Sequence, residues 1–138
     1  MKIEIPLPTI DEQLANVFEA GTNAGIKQLK ANLLAPRLPG QSEVDESQYP
    51  RTHLLRENEG WEAPDADIVG AYFRHFQDAF PQYNTDAKMA ALLGVSSDRR
   101  VREYKQGRIN VPYGIWRRFL VLTGRVPQDI TPVMAFMG

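Results

Sequence analysis

Apolar residues recur at helical spacing near the start of the chain. A capping box at Thr9-Ile10-Asp11-Glu12 predicts a helix start, because the Thr hydroxyl and the Glu carboxylate can satisfy free backbone amides. The pattern then predicts one helix ending near Gly21 and a second ending before Pro36. The apolar positions are Ile10, Leu14, Val17 and Phe18, then Ile26, Leu29, Leu33 and Leu34. We therefore predict a helical hairpin in residues 1–36, a range that begins with a strand-like alternation at residues 2–5. This hairpin should pack on the rest of the chain or on a second copy.

Residues 37–66 have no sustained hydrophobic period. Pro and Gly residues interrupt a polar, acidic stretch, which we interpret as an acidic linker or long loop. Leu54, Leu55 and Trp61 are apolar exceptions, and we expect them to hold part of the stretch against a core.

Two strongly apolar helices are predicted further along. The first begins at residue 67 and ends at Pro81, with Arg74 and His75 on its wetter side. The second opens at Pro112 and carries Trp116 as a core residue. These helices assign residues 67–126 to one globular domain.

Two short helices are predicted between them. Thr85 is a good N-cap for the first, and Gly94 supplies the positive-φ conformation of a sharp turn. Ser96 or Ser97 caps the second, which ends at Gly107. Their inward residues are Met89, Ala90 and Leu93, then Val101 and Tyr104. This order of helix, glycine turn and helix is a helix-turn-helix layout.

The remaining residues, 127–138, form a short C-terminal tail. Thr131-Pro132 is an N-cap and first-turn pair, so it predicts a last helical turn. Apolar residues follow it, and we expect them to pack against the N-terminal hairpin or a second subunit.

Composition narrows the class of protein. A chain of 138 residues suits one compact domain with an appendage. The absence of Cys excludes disulfides, cysteine nucleophiles and thiolate metal sites, and two His cannot build an ordinary zinc site. No apolar run reaches the roughly 18 residues of a membrane span, and the start is too polar for a signal peptide. We expect a soluble cytoplasmic protein without a metal or cofactor.

The formal charge of −1 hides a strong asymmetry. Residues 43–67 hold eight acids against two arginines, a charge of −6, whereas residues 84–125 hold nine bases against three acids, a charge of +6. The acids could simply solvate a loop, or they could fold over the basic segment or a partner subunit.

The basic segment coincides with the second short helix. Placing its residues at 100° intervals, with Val101 and Tyr104 inward, turns four side chains outward and leaves Arg100 and Lys105 on the flanks. The outward side chains are Arg99, Arg102, Glu103 and Gln106. Arg can bind guanine and Gln adenine in the major groove, while Glu can accept from cytosine or hold Arg99 in place four residues away.

The stretch from Asn84 to Gly107 resembles the lambda-repressor/Cro-type (XRE-like) helix-turn-helix family. The residues at the positions of the family's motif are Met89-Ala90, Gly94-Val95-Ser96, Val101, Tyr104 and Gly107. Pro112 corresponds to the proline that opens the family's next helix. The resemblance covers about residues 67–125. Three departures stand out. Val95 to Val101 is one residue longer than usual, Lys105 replaces the usual Glu, and Asp86 stands where Gln often contacts a phosphate.

This resemblance implies an all-α, five-helix-type domain with an N-terminal helical extension. Proteins of the family are commonly transcriptional repressors encoded on phages, plasmids or integrative elements, and they bind palindromic operators as homodimers. We therefore expect a sequence-specific double-stranded DNA-binding protein without catalytic activity. The outward residues Arg99, Arg102, Glu103 and Gln106 would read bases, and the phosphates would be held by Thr85, Arg100, Lys105 and Arg108. Arg117 and Arg118 should be exposed, either near the DNA backbone or merely as surface charges.

Two rival functions remain. A protein-binding adaptor, such as an antitoxin or anti-host factor, could keep the helix-turn-helix as a scaffold and bind its partner through the N-terminal hairpin. An enzyme would have to use His53 near Glu57 and Glu59, the one acid-base cluster, which falls in the predicted linker without a nucleophile or metal set.

Overall fold

The described part of the chain contains only helical regular structure. A computed structural model describes residues 6, 7 and 9–138. The strand-like alternation at residues 2–5 lies outside them. The α-helices are α1 (Ile10–Asn32), α2 (Ala66–Ala79), α3 (Asp86–Leu93), α4 (Asp98–Gln106) and α5 (Tyr113–Leu122). Short 3₁₀ helices span Glu46–Gln48, Thr52–Leu54, Glu57–Glu59 and Pro81–Tyr83. The all-α prediction is confirmed. None of the described helices has the length and apolar character needed to cross a bilayer.

The chain divides into two compact units, Met1–Pro39 and Gly40–Gly138. The first contains α1, and its predicted capping box is confirmed. The Thr9 hydroxyl accepts from the Glu12 amide, and the Glu12 carboxylate accepts from the Thr9 amide, both at 3.1 Å.

The predicted hairpin is wrong, because α1 continues without a break through Gly21. Glycine lowers helix propensity by about 1 kcal/mol relative to alanine but keeps its backbone donor and acceptor. The hydrogen-bond ladder can therefore pass through it, and α1 extends to Asn32.

The core of the second unit is aromatic. Phe73 of α2 packs edge-on against Phe119 of α5 with ring centroids 4.9 Å apart, and Trp116 stacks on Phe119 at 5.3 Å. Met89, Leu93 and Val101 from α3 and α4 complete it. The prediction of Trp116 as a core residue is confirmed. Within residues 67–126 the described structure has four α-helices and one 3₁₀ helix rather than five α-helices.

From residue 40 onward, the segment predicted as an acidic linker or long loop belongs to this second unit. Its Glu46 carboxylate accepts from Arg125 at 2.7 Å and from the Tyr72 hydroxyl at 2.5 Å. His53 is 1% exposed, and its Nδ1 accepts from the Trp116 indole at 3.1 Å. The segment therefore folds as short 3₁₀ helices tied to the core.

The predicted last helical turn at Thr131-Pro132 is wrong, since residues 127–138 contain no helix. A capping sequence stabilises a helix only when the helix also packs or propagates. Val133 and Met134 here are exposed. Asp129, near the start of this tail, is held by Arg56 and Arg117.

Candidate nucleic-acid interface

A four-residue turn joins α3 to α4. Thr85 caps α3, its hydroxyl accepting from the Lys88 amide at 3.2 Å. Gly94 ends α3 in the left-handed region, with φ +74°, and the Val95 amide donates to the Ala90 carbonyl at 2.9 Å. The Ser97 hydroxyl then accepts from the Arg100 amide and starts α4. The predicted caps and glycine turn are confirmed.

Helix α4 is held to the core by two side chains. Val101 and Tyr104 are its buried residues, as predicted. Its end is fixed by Gly107, which has φ +75° and lies so close to α2 that an added Cβ would be 2.8 Å from the Cβ of Ala66. Both the backbone conformation and this approach require glycine. The helix is therefore firmly placed, with most of its surface open.

Lys105 does not lie with the other basic side chains. Its ammonium donates to Asp86 at 2.7 Å and to Gln77 at 2.6 Å. The Lys105 and Asp86 side chains are only 15% and 18% exposed. We therefore reassign Lys105 from holding a phosphate to fastening α4 against α2 and α3. Gln77 was missed by sequence reasoning, because no local pattern links it to a residue 28 positions away.

The outward face of α4 carries two arginines, each held by an acid four residues away. Arg99 is 80% exposed and its Nε lies 3.0 Å from the Glu103 carboxylate. Arg102 donates to Asp98, also at 3.0 Å. The Arg102 hydrogen bond, followed by that from the Arg99 amide, lowers the pKa of Asp98. Both acids therefore fix the direction of a guanidinium without removing it from the surface.

Most of the other predicted contact residues are exposed too. The exposed members of the set are Thr85, Arg99, Arg100, Arg102, Gln106 and Arg108. Glu103 is partly buried beside Arg99. We call these seven residues together the α4 surface. It presents arginine and glutamine donors on a helix that is rigidly supported from behind, which suits hydrogen bonding to base edges and phosphates.

Arg117 and Arg118 serve the fold instead. Arg118 is exposed, but its Nε donates to the Leu92 carbonyl near the end of α3 at 2.9 Å. Arg117 is largely buried and donates to the Leu54 carbonyl at 3.2 Å. The prediction that Arg117 is exposed is therefore wrong. Its side chain instead joins α5 to the segment around Leu54.

The predicted acid-base cluster around His53 does not assemble. Glu57 and Glu59 are exposed, whereas His53 is buried beside Glu46, with its Nε2 3.8 Å from that carboxylate. Burial lowers the pKa of His53, and the charge of Glu46 opposes this only in part. The described residues contain no group of three or more His, Asp or Glu side chains placed to hold a metal ion.

Acids of residues 43–67 form ion pairs within the second unit. Glu43 pairs with Arg74 of α2 at 2.5 Å, and Glu46 pairs with Arg125. Burial works against the charge of Glu46, but hydrogen bonds from Arg125 and Tyr72 outweigh it and lower the pKa of this carboxyl. In the described part of the chain, none of the ion pairs of these acids reaches α4. The idea that they cover the basic face therefore finds no support in their contacts.

Comparisons of the chain with protein-family models, with curated proteins and with solved structures found no match.

Proposed function

We propose that this protein is a sequence-specific double-stranded DNA-binding regulator whose α4 enters the major groove. One observation carries the proposal. A glycine turn sets α4 beside α3 with Val101 and Tyr104 buried, so that Arg99, Arg102 and Gln106 project together from its far side. A supported helix with such an outward face is the usual means of reading base edges.

The base contacts would come from three donors. Arg99 and Arg102 can each bind guanine O6 and N7 in bidentate fashion, and Gln106 can bind adenine. Glu103 and Asp98 would hold the two guanidinium groups ready, each at 3.0 Å. Such preorganisation lowers the conformational entropy lost on binding. Where it does not hold Arg99, Glu103 would accept a hydrogen bond from cytosine.

The phosphate contacts would come from the edges of the α4 surface. Arg100 and Arg108 are exposed beside the outward face, and Thr85 lies at the amino end of α3. Helix amino ends and arginines are common partners of DNA phosphates. Lys105 has no part in this set because Asp86 and Gln77 engage it.

We extend the proposal to a lambda-repressor/Cro-type domain. Two departures from that family's pattern, Asp86 and Lys105, contact each other, so that they form one ion pair rather than two unrelated changes. The longer link to α4 is taken up by the four-residue turn after α3. The proposed role is that of a repressor of a phage, plasmid or integrative element. It would bind a palindromic operator as a homodimer, with half-sites roughly 34 Å apart, one turn of the duplex.

The experiment is selection of bound duplexes from a random library at two salt concentrations. We expect one defined, palindromic site whose affinity falls steeply with salt, by a slope of about −0.9 for each phosphate contact. Arg74→Ala provides a matched control, because this exposed arginine lies on α2 and pairs with Glu43. Enrichment of no sequence by the wild-type chain would contradict the proposal.

The rival adaptor function is favoured by one observation, the apolar side chains that α1 exposes. An adaptor would enrich no duplex and would bind a protein through α1. The same selection therefore separates the two functions.

A further inference from the structure

Helix α1 presents a long apolar face. At 100° per residue, its large aliphatic side chains fall within an arc of about 180°. They are Ile10, Leu14, Val17, Ile26, Leu29 and Leu33. No residue of α1 is buried, and the exposure of these side chains runs from 38% at Leu29 to 75% at Ile10 and 82% at the C-cap Leu33. Helices in proteins are stabilised mainly by packing of such a face, so we expect another apolar surface to pack against this one.

The face is symmetric about its midpoint, between Gly21 and Thr22. When a second copy of the helix is placed antiparallel to the first, each large aliphatic side chain has another at the same position along the helix axis. The matched positions are Ile10 with Leu33, Leu14 with Leu29, and Val17 with Ile26. A second copy therefore matches this face along its whole length.

The middle of the face has room for a close neighbour. Gly21 and Gly25 lie on it, and a Cβ added at either would meet nothing within 4 Å. Glycine is unfavourable inside a helix, but it lets another backbone approach closely.

The charges of α1 decide the orientation. Its first half carries Asp11, Glu12 and Glu19, and its second half carries Lys27 and Lys30. Antiparallel pairing places the acidic first half of one copy along the basic second half of the other, twice by symmetry. Parallel pairing would place like charges together.

We propose that the apolar face of α1 pairs with α1 of a second copy, antiparallel and centred between Gly21 and Thr22. The pairing rests on α1 alone and holds whether or not α4 binds DNA. If both proposals are correct, α1 supplies the two-fold symmetry that a palindromic site requires.

Sedimentation equilibrium of the full chain without DNA tests the pairing. We expect a dimer for the wild type, and a self-association weakened by about tenfold or more in Leu29→Glu, which buries an unpaired charge at two symmetric places. Asn23→Glu is the matched control, since it adds the same charge on the polar side and should remain dimeric. A monomeric wild type would overturn the proposal. Enrichment of a defined duplex through α4 does not require this pairing, so failures of the two proposals can be told apart.

Cysteine cross-linking tests the orientation, and the chain contains no native Cys. Mixed Leu14→Cys and Leu29→Cys chains of different mass should form the mixed disulfide in preference to either homodimer. Asn16→Cys mixed with Lys27→Cys is the control, because these positions share the register but lie on the opposite side of the helix. Preferred Leu14→Cys homodimers would show parallel pairing and overturn the proposal.

Discussion

The two charged regions of the second unit use their side chains in opposite ways. In residues 43–67 the Glu46 carboxylate points inward and accepts hydrogen bonds from Arg125 and Tyr72. Helix α4 turns its arginines outward, and the acids that hold Arg99 and Arg102 belong to α4 itself. The acidic region is therefore built for the fold, and the basic helix is available for a partner. Net charge alone does not distinguish a structural segment from a binding surface.

The largest expected effect comes from breaking the inward pair. Glu46→Gln should lower the free energy of unfolding by about 2–3 kcal/mol. This is less than for a fully buried pair, because the Glu46 and Arg125 side chains are 22% and 26% exposed. Glu57→Gln, an exposed acid of the same region, should change it by no more than about 0.5 kcal/mol. Urea unfolding measures both, and equal stabilities would contradict an inward role for Glu46.

The same contrast exists inside the basic segment. Lys105→Met should cost about 1–3 kcal/mol of stability, because it leaves the mostly buried Asp86 carboxylate without its only cationic partner among the described residues and with only the Gln77 amide. Arg108→Ala should leave stability nearly unchanged and reduce the salt slope of DNA binding by about 1. Thermal unfolding and salt titration separate the two residues. A stable Lys105→Met chain with a reduced salt slope would return Lys105 to the phosphate contacts.

A smaller effect concerns pH. Burial lowers the pKa of His53 in the folded chain below 6.5. As the pH falls through 6.5, the unfolded chain therefore binds a proton that the folded chain does not, and stability is lost. His53→Gln should flatten this loss between neutral and mildly acidic pH, while His75→Gln should keep it because His53 remains. An unchanged pH slope in His53→Gln would show that His53 does not cause it.

The smallest effect is expected from the outer acids. Glu43→Gln with Asp45→Asn should leave affinity for random DNA unchanged, since Arg74 engages Glu43 and Ser47 donates to Asp45. Fluorescence anisotropy with a random duplex measures this. A clear rise in affinity would revive the idea that these acids screen the α4 surface.

Local signals in the sequence predicted local structure well. The Thr9 and Thr85 caps, the Gly94 turn and the buried pair Val101 and Tyr104 are confirmed, because each depends on neighbours within one or two turns. Gly21 misled the prediction, since glycine weakens a helix without ending it.

Contacts between distant residues could not be predicted. Glu46 meets Arg125 across 79 positions and His53 meets Trp116 across 63, so residues 43–67 show no period of their own. At the α4 surface the exposed arginines followed from helical spacing. The inward turn of Lys105 depends on Gln77 and Asp86, which lie on other helices.

Binding of the selected duplex by matched arginine variants tests the central claim most directly. Arg99→Ala and Arg102→Ala should each cost about 1–3 kcal/mol of specific affinity, with less loss on a scrambled duplex and an unchanged unfolding midpoint. Arg74→Ala should bind like the wild type. Equal affinity of the wild type and both α4 variants for the selected duplex would contradict the assignment of α4 to the major groove.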